Sequence, residues 1–128
     1  SAGIFGNDDE DEDLASIWME RVAEASATIF LERVKSIRRL SEPGAAQLAA
    51  DLEYFSNVVT ALTSRPQRGL LAYMQCASVD ADDYARFARE TVEQQQQQQS
   101  AENADSSPEA FIDHRIVKQV AAMRGIAL

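Results

Sequence analysis

Apolar residues recur at intervals of four and three along residues 47–62. They are Leu48, Leu52, Phe55, Val59 and Leu62. This spacing follows the helical repeat and places all five side chains on one side of a helix. Such a stripe has to be buried against other elements, so the chain is predicted to fold as packed helices with these five residues in the core.

A polar set lies beside this stripe. Asp51, Tyr54 and Asn57 recur every three residues and therefore follow one flank of the same helix. One interpretation is a core helix whose Tyr54 hydroxyl finds a local hydrogen-bond partner, as buried tyrosines usually do. The other is that the three residues contact a partner protein. The segment carries no nucleophile, general base or set of metal ligands.

The first helix is predicted from about Asp13 to Leu40, where apolar residues recur on two stripes. One stripe comprises Leu14, Trp18, Val22, Ala25 and Ile29, and the other comprises Ala23, Ala27, Phe30, Val34, Ile37 and Leu40. Treated as adjacent, the stripes form one wide face that contacts two other helices, with Trp18, Val22 and Ile29 in the core. The short link from Ser41 to Gly44 predicts an antiparallel hairpin with the second helix.

Three further helices follow along the chain. The third is predicted from about Pro66 to Ala77 and the fourth after Asp80, whereas the last begins at Ser107-Pro108 and turns Ile116 and Val120 inward. Residues 94–107 lose all apolar periodicity and are predicted to form a flexible glutamine-rich loop, into which the fourth helix can continue. The expected fold is all-α, an antiparallel bundle of about five helices over residues 14–128.

Charge is concentrated at one end of the chain. Six consecutive acidic residues, Asp8 to Asp13, account for most of the formal net charge of −9. Like charges in a run repel each other and usually stay solvated, so residues 1–13 are predicted to be a disordered acidic leader. An acidic chain is a poor partner for nucleic acid, whose phosphates require a basic surface.

The residues that support catalysis are scarce. Cys76 and His114 are the single cysteine and the single histidine, and they are too few for a zinc site. Asp82 and Asp83 are adjacent and point to different sides of a helix, and no glycine-rich phosphate loop occurs. The sequence therefore predicts no catalytic, cofactor-binding or metal-binding residues. One unpaired cysteine and the lack of a long apolar run predict a cytosolic protein without a membrane span.

Several motifs in their order along the chain resemble one family. They are the run from Gln47 to Leu62, the Arg65-Pro66-Gln67-Arg68-Gly69-Leu70 link, Asp82-Asp83-Tyr84, and the run from Val120 to Ile126. Together they resemble the C-terminal end of subunit seven of the conserved oligomeric Golgi complex. Phe55 and the glutamine tract at 94–99 depart from that pattern. Because the chain begins at Ser1 without a methionine, it is expected to be a piece of a longer subunit.

The resemblance implies a non-enzymatic function. It implies a component of a vesicle-tethering complex on the cytosolic face of the Golgi membrane, peripherally bound, acting in intra-Golgi retrograde transport and in glycosylation. The implied partners are subunits five, six and eight of the complex, together with SNARE or small-GTPase machinery. A different hypothesis also fits the residues: a stand-alone acidic helical adaptor that binds basic partners through its leader.

Overall fold

The computed structural model describes residues 8–100 and 112–128, with side chains described for residues 13–96 and 112–128. Five helices follow one another in these ranges: α1 Asp8–Lys35, α2 Glu42–Thr63, α3 Arg68–Ser78, α4 Ala81–Ser100 and α5 His114–Arg124. The prediction of an all-α bundle of about five helices is confirmed for the part of the chain that the structure describes.

Local chemistry fixes the ends of α2 and α5. Ser41 caps α2, since its hydroxyl oxygen accepts a hydrogen bond from the Gly44 amide at 3.1 Å. Ser64 ends that helix in the left-handed conformation, with φ 56°. At α5, the Asp113 carboxylate accepts from the Arg115 amide at 2.9 Å, and Gly125 ends the helix at φ 71°.

Three predicted boundaries are wrong. Residues 8–13, predicted to be part of a disordered leader, form the first turns of α1, where negative charge interacts favourably with the helix dipole. The first helix, predicted to run to about Leu40, ends at Lys35. Residues 94–100 continue α4, as the prediction allowed, because glutamine is a good helix former when nothing opposes it. The last helix begins at His114 rather than at Ser107. Residues 1–7 and 101–111 lie outside the described residues.

The helices pack as an antiparallel hairpin with a second group on one side. The Phe30 and Phe55 rings stack with centroids 4.7 Å apart and join α1 to α2. Helix α3 packs against α2, and α5 contacts both α3 and α4. The link after α1 is tied to α5, since the Leu40 amide donates to the Met123 carbonyl at 2.7 Å. Every helix thus contributes to one core.

The core contains only part of the predicted set. Leu52, Val59 and Val120 are buried. Leu48, Phe55 and Ile116 are partly buried against the same core. Its other large, fully buried members include two tyrosines and the cysteine that the sequence did not place there: Leu70, Tyr73, Cys76, Tyr84 and Val117.

Four of the predicted core residues are exposed. They are Trp18, Val22, Ile29 and Leu62. The error in α1 comes from treating its two stripes as adjacent. At 100° per residue the stripe that contains Trp18 lies about 160° around the helix from the stripe that contains Ala27, which is the one that faces the bundle.

Candidate interaction surface

Helix α1 has a second apolar face that no described residue covers. Large side chains on this face are exposed by 64% at Leu14, 67% at Trp18 and 57% at Ile29, and Val22 is also exposed. The face, here named the outer stripe, consists of Leu14, Trp18, Val22, Ala25 and Ile29. Contiguous exposed apolar residues of this size usually mark a surface that binds another protein.

A second exposed face runs along α2. Tyr54 is 74% exposed, and Val58 and Leu62 follow at intervals of four residues, so the three share one side of the helix. Asp51 and Asn57 flank them and are exposed. We name this set of five residues the α2 edge. The interpretation of Tyr54 as a core tyrosine is wrong, and the predicted polar set of Asp51, Tyr54 and Asn57 is available to a partner.

A shallow open cavity of about 470 Å³ lies between α1 and α2 at the open end of the hairpin. Its lining consists of Ala15, Ser16 and Met19 from α1 with Ala61 and Leu62 from α2. Its side chains are mostly apolar, but polar atoms contribute nearly half of the lining, so the cavity favours neither an apolar nor a polar occupant.

A buried arginine holds the other ends of the helices together. The Arg124 side chain is 1% exposed and donates to the Glu42 carboxylate at 2.7 Å. It also donates to the carbonyl oxygens of Cys76 at 2.9 Å and Val79 at 2.6 Å, which lie at the end of α3. Its guanidinium carbon lies 5.3 Å from the centre of the Tyr84 ring. One side chain of α5 therefore contacts α2, α3 and α4.

Two tyrosines complete this buried polar framework. The Tyr84 hydroxyl donates to the Val117 carbonyl at 2.7 Å, and the Tyr73 hydroxyl donates to the Gln119 side-chain oxygen at 2.5 Å. The Gln119 amide then donates to the Lys35 carbonyl at the end of α1, at 3.3 Å. This framework could not be predicted from local sequence, because Arg124 in a last helical turn is equally typical of a solvated cation.

Burial raises the pKa values of three side chains in and beside this framework, Tyr73, Cys76 and Tyr84. It raises the pKa of the Cys76 thiol to about 11, although a hydrogen bond with Tyr84 and the charge of Arg124 oppose the increase. Burial is also the main cause of the raised pKa values of Tyr73 and Tyr84. At neutral pH all three groups are therefore protonated. A protonated, fully buried thiol is a poor nucleophile, so Cys76 belongs to the packing of the core.

A pH dependence follows from Cys76. In the unfolded chain the thiol has its ordinary pKa of 9.0, whereas in the folded chain its pKa is about 11. Between these two pH values the unfolded chain loses the thiol proton and the folded chain keeps it. The free energy of unfolding is therefore expected to fall between about pH 9 and pH 11. Denaturant titrations at about pH 8 and pH 10 measure this change, and Cys76→Ala should make it smaller. An equal fall in the variant would contradict the assignment.

The described residues contain no arrangement suited to metal chemistry. No three His, Cys, Asp or Glu side chains within the described ranges lie close enough to share an ion. Asp83 forms an exposed ion pair with Arg86 at 3.2 Å, and His114 is only partly buried. None of the described helices is both long and apolar enough to span a bilayer.

These features define a class of protein: a small helical bundle with exposed apolar helix faces. The chain belongs to the family Golgi complex component 7 (COG7), which it matches over residues 3–125. The resemblance predicted from the ordered motifs is thereby confirmed.

Two relatives carry the name conserved oligomeric Golgi complex subunit 7. The protein from Arabidopsis thaliana is 38% identical over 69 residues, which cover 54% of this chain and 8% of the relative. The protein from Homo sapiens is 29% identical over 78 residues, which cover 61% of this chain and 10% of the relative. The chain thus spans only a small part of the length of these relatives. No solved structure matches it.

Proposed function

We propose that this chain is a non-enzymatic part of a Golgi vesicle-tethering complex and acts through protein–protein contacts. In this proposal it serves intra-Golgi retrograde transport and thereby the balance of Golgi glycosylation. It is held peripherally on the cytosolic face of the Golgi membrane. Its partners are other subunits of the complex, numbers five, six and eight, and SNARE or small-GTPase machinery is a further class of partner.

The α2 edge is the observation that carries this proposal. Its exposed apolar residues are spaced as in helices that bind another helix or a groove. Tyr54 combines a large apolar ring with a polar tip, a residue type that is enriched at the energetic centres of interfaces. The opposite side of α2 is anchored by Leu52 and Val59 in the core. The edge is therefore held on a rigid support, which lowers the entropy cost of binding.

The family membership supports the Golgi setting, and the fold weakens the rival hypothesis. A stand-alone acidic adaptor was predicted because residues 1–13 were expected to be a free leader. Residues 8–13 instead belong to α1, so the described part of this segment is a helix end rather than a flexible arm. The adaptor hypothesis loses its main support.

A rescue experiment tests the proposal. In cells that lack the endogenous subunit, the full-length protein with Tyr54→Ser and Val58→Ser should accumulate normally, because both residues are exposed. It should bind the other subunits several-fold less in co-precipitation and should leave cell-surface glycosylation defective. Glu53→Ser is the matched control, since Glu53 is exposed on the same helix and lies about 140° around it from Val58.

Two outcomes would contradict the proposal. Complete rescue with normal co-precipitation by the double variant would exclude the α2 edge as a subunit contact. Loss of glycosylation rescue in a stably folded His114→Ala or Asp82→Asn protein would indicate a reactive site and would make the non-enzymatic assignment wrong.

A further inference from the structure

We propose that Ser41 is a phosphorylation site for a basophilic protein kinase, and that the added phosphate is held at the start of α2 by the arginines that precede it. The site lies in the link between Lys35, which ends α1, and Glu42, which begins α2. Ser41 is about 20 Å along α2 from Tyr54. The site is therefore separate from the α2 edge and does not depend on the function proposed above.

The sequence before Ser41 has the charge pattern that basophilic kinases select. Arg38 and Arg39 stand three and two positions before the serine. Kinases of this class bind arginine side chains at these positions through carboxylates of the substrate cleft. No other serine or threonine of the chain has arginine at both positions. Ser36 matches only in part, with Arg33 three positions before it. The pattern therefore favours Ser41.

The link presents this pattern in a conformation that suits a kinase cleft. A cleft that contacts successive side chains needs an extended segment, which rises about 3.3 Å per residue. Residues 37–41 lie outside the helices, and Ser41 is extended, with φ −68° and ψ 164°. Ser41 and the two arginines before it are exposed. The Leu40 amide ties the link to the Met123 carbonyl, so one backbone hydrogen bond between the link and α5 has to open.

The two candidate hydroxyl groups differ in their surroundings. Ser41 Oγ accepts a hydrogen bond from the Gly44 amide and donates its own proton to no described residue. The Ser36 hydroxyl donates to the Arg33 carbonyl at 2.6 Å, in the turn that follows α1. A phosphate on Ser36 would lie at the negative end of the α1 dipole, whereas a phosphate on Ser41 would lie at the positive end of α2. Both differences favour Ser41.

An open cavity beside Ser41 can receive the phosphate. Its volume is about 700 Å³, and its charged lining residues are Arg38, Arg39 and Arg124, with no acidic side chain among them. Within the described residues, neither Arg38 nor Arg39 pairs with a carboxylate. The neighbouring Glu42 carboxylate is already paired with Arg124 at 2.7 Å, which weakens its repulsion of a phosphate. Two guanidinium groups are therefore available for charge-assisted hydrogen bonds.

The proposed transfer uses ATP as the phosphoryl donor. Ser41 Oγ forms a bond to the γ-phosphorus of ATP, and the bond between that phosphorus and the oxygen that bridges the β- and γ-phosphates breaks. ADP leaves with that oxygen, and the hydroxyl proton passes to the aspartate of the kinase's catalytic loop. The product carries a charge of about −1.5 to −2 in place of a neutral hydroxyl group.

Phosphorylation of the whole chain in solution tests the site. The catalytic subunit of cyclic-AMP-dependent protein kinase, which is basophilic, should add one phosphoryl group from Mg-ATP. Intact mass spectrometry counts the group, and peptide fragmentation should place it on Ser41. Ser41→Asn should take up none, and the variant stays folded because asparagine caps a helix as well as serine does. Ser36→Ala is the matched control and should be phosphorylated as the wild type is.

Recognition by arginine is tested with Arg38→Gln. Its kcat/KM for phosphorylation should fall about tenfold or more, because the variant loses a charge-assisted contact with the kinase. Arg33→Gln is the matched control, since it removes an exposed arginine from the partial pattern before Ser36. It should leave kcat/KM for phosphorylation of Ser41 unchanged.

Thermal unfolding tests where the phosphate lies. The phosphorylated chain should melt a few degrees higher than the unmodified chain, because negative charge at the start of α2 interacts favourably with the helix dipole and with the two arginines. About 1 M NaCl should reduce this difference, since salt screens exposed charges.

Four results would overturn the proposal. They are no uptake of phosphate by the wild-type chain, equal uptake by Ser41→Asn, an unchanged kcat/KM for Arg38→Gln, and a melting temperature that is unchanged or lower after phosphorylation. None of them bears on whether the α2 edge binds the tethering complex, which the rescue experiment decides separately.

Discussion

Replacing Arg124 with alanine is expected to lower the free energy of unfolding by about 2–5 kcal/mol, because two main-chain carbonyl oxygens at the end of α3 lose their donor at about 1–3 kcal/mol each. The substitution removes three hydrogen bonds, to Glu42 and to the carbonyl oxygens of Cys76 and Val79. Those carbonyls lie at the C-terminal end of α3, where the helix itself supplies no donors. The loss also removes the ion pair between α5 and α2 and the contact with the Tyr84 ring on α4. It is a large fraction of the roughly 5–15 kcal/mol that stabilises an ordinary domain.

Arg115 provides the matched control for this prediction. It lies on the same helix with its side chain 93% exposed, and its contact with Asp113 is a surface ion pair of 3.7 Å. Arg115→Ala should therefore change the free energy of unfolding by less than about 1 kcal/mol. Denaturant titration of both variants measures the difference. Equal effects would show that the Arg124 contacts do not stabilise the fold.

Arg124→Lys separates charge from geometry. Lysine keeps the positive charge but replaces the planar fork of five N–H donors with one compact ammonium group. The ammonium group can donate to the Glu42 carboxylate or to the carbonyl oxygens at the end of α3. Only the guanidinium group can reach all three acceptors at distances of 2.6–2.9 Å. The lysine variant is expected to fall between alanine and wild type. Full restoration by lysine would mean that charge alone is needed.

The helical hairpin could be predicted because its signals are local. The cap at Ser41, the proline in the first turn and the apolar spacing along residues 47–62 all depend on residues a few positions apart. Such signals act through backbone geometry and do not require knowledge of the rest of the fold. They predicted the beginning and the end of α2 to within a few residues.

The distinction between core and surface could not be predicted for α1. Periodicity shows which residues share a side of a helix, but whether another element covers that side depends on tertiary packing. Ala27 and Trp18 both belong to apolar stripes, yet the alanine is buried and the tryptophan is exposed. Small residues allow α1 to lie close to the bundle, and the larger residues remain on the outer stripe. Apolarity alone predicted that both stripes are buried.

The buried hydrogen bonds around Arg124 could not be predicted from the sequence either. Its contacts join residues 33 to 84 positions apart, such as Tyr84 with Val117 and Gln119 with Lys35. No short-range pattern encodes such pairs, because the partners are distant in sequence and most of the acceptors are main-chain carbonyls that every residue possesses. In the structure Gly125 ends α5, but no local signal indicates that the preceding arginine turns inward. Predicting it would require the packing of α5 first.

Leu52→Ala is expected to lower the free energy of unfolding by about 2–5 kcal/mol, as truncation of a buried leucine usually does. Leu52 is 0% exposed at the middle of α2, so the substitution removes apolar contacts and leaves a cavity that the surrounding helices fill only in part. In a domain of this size the loss is a large fraction of the total stability.

Leu62→Ala is the matched control for Leu52→Ala, because it makes the same chemical change at an exposed position of the same helix. The sequence placed both leucines on one stripe, but Leu62 is 40% exposed on the α2 edge, so its truncation should cost less than about 1 kcal/mol. The same chemical change on the same helix thus separates core from surface, and denaturant titration measures both. A loss below about 0.5 kcal/mol for Leu52→Ala, or equal losses for the two variants, would mean that α2 packs through a different face and that the α2 edge is not a free surface.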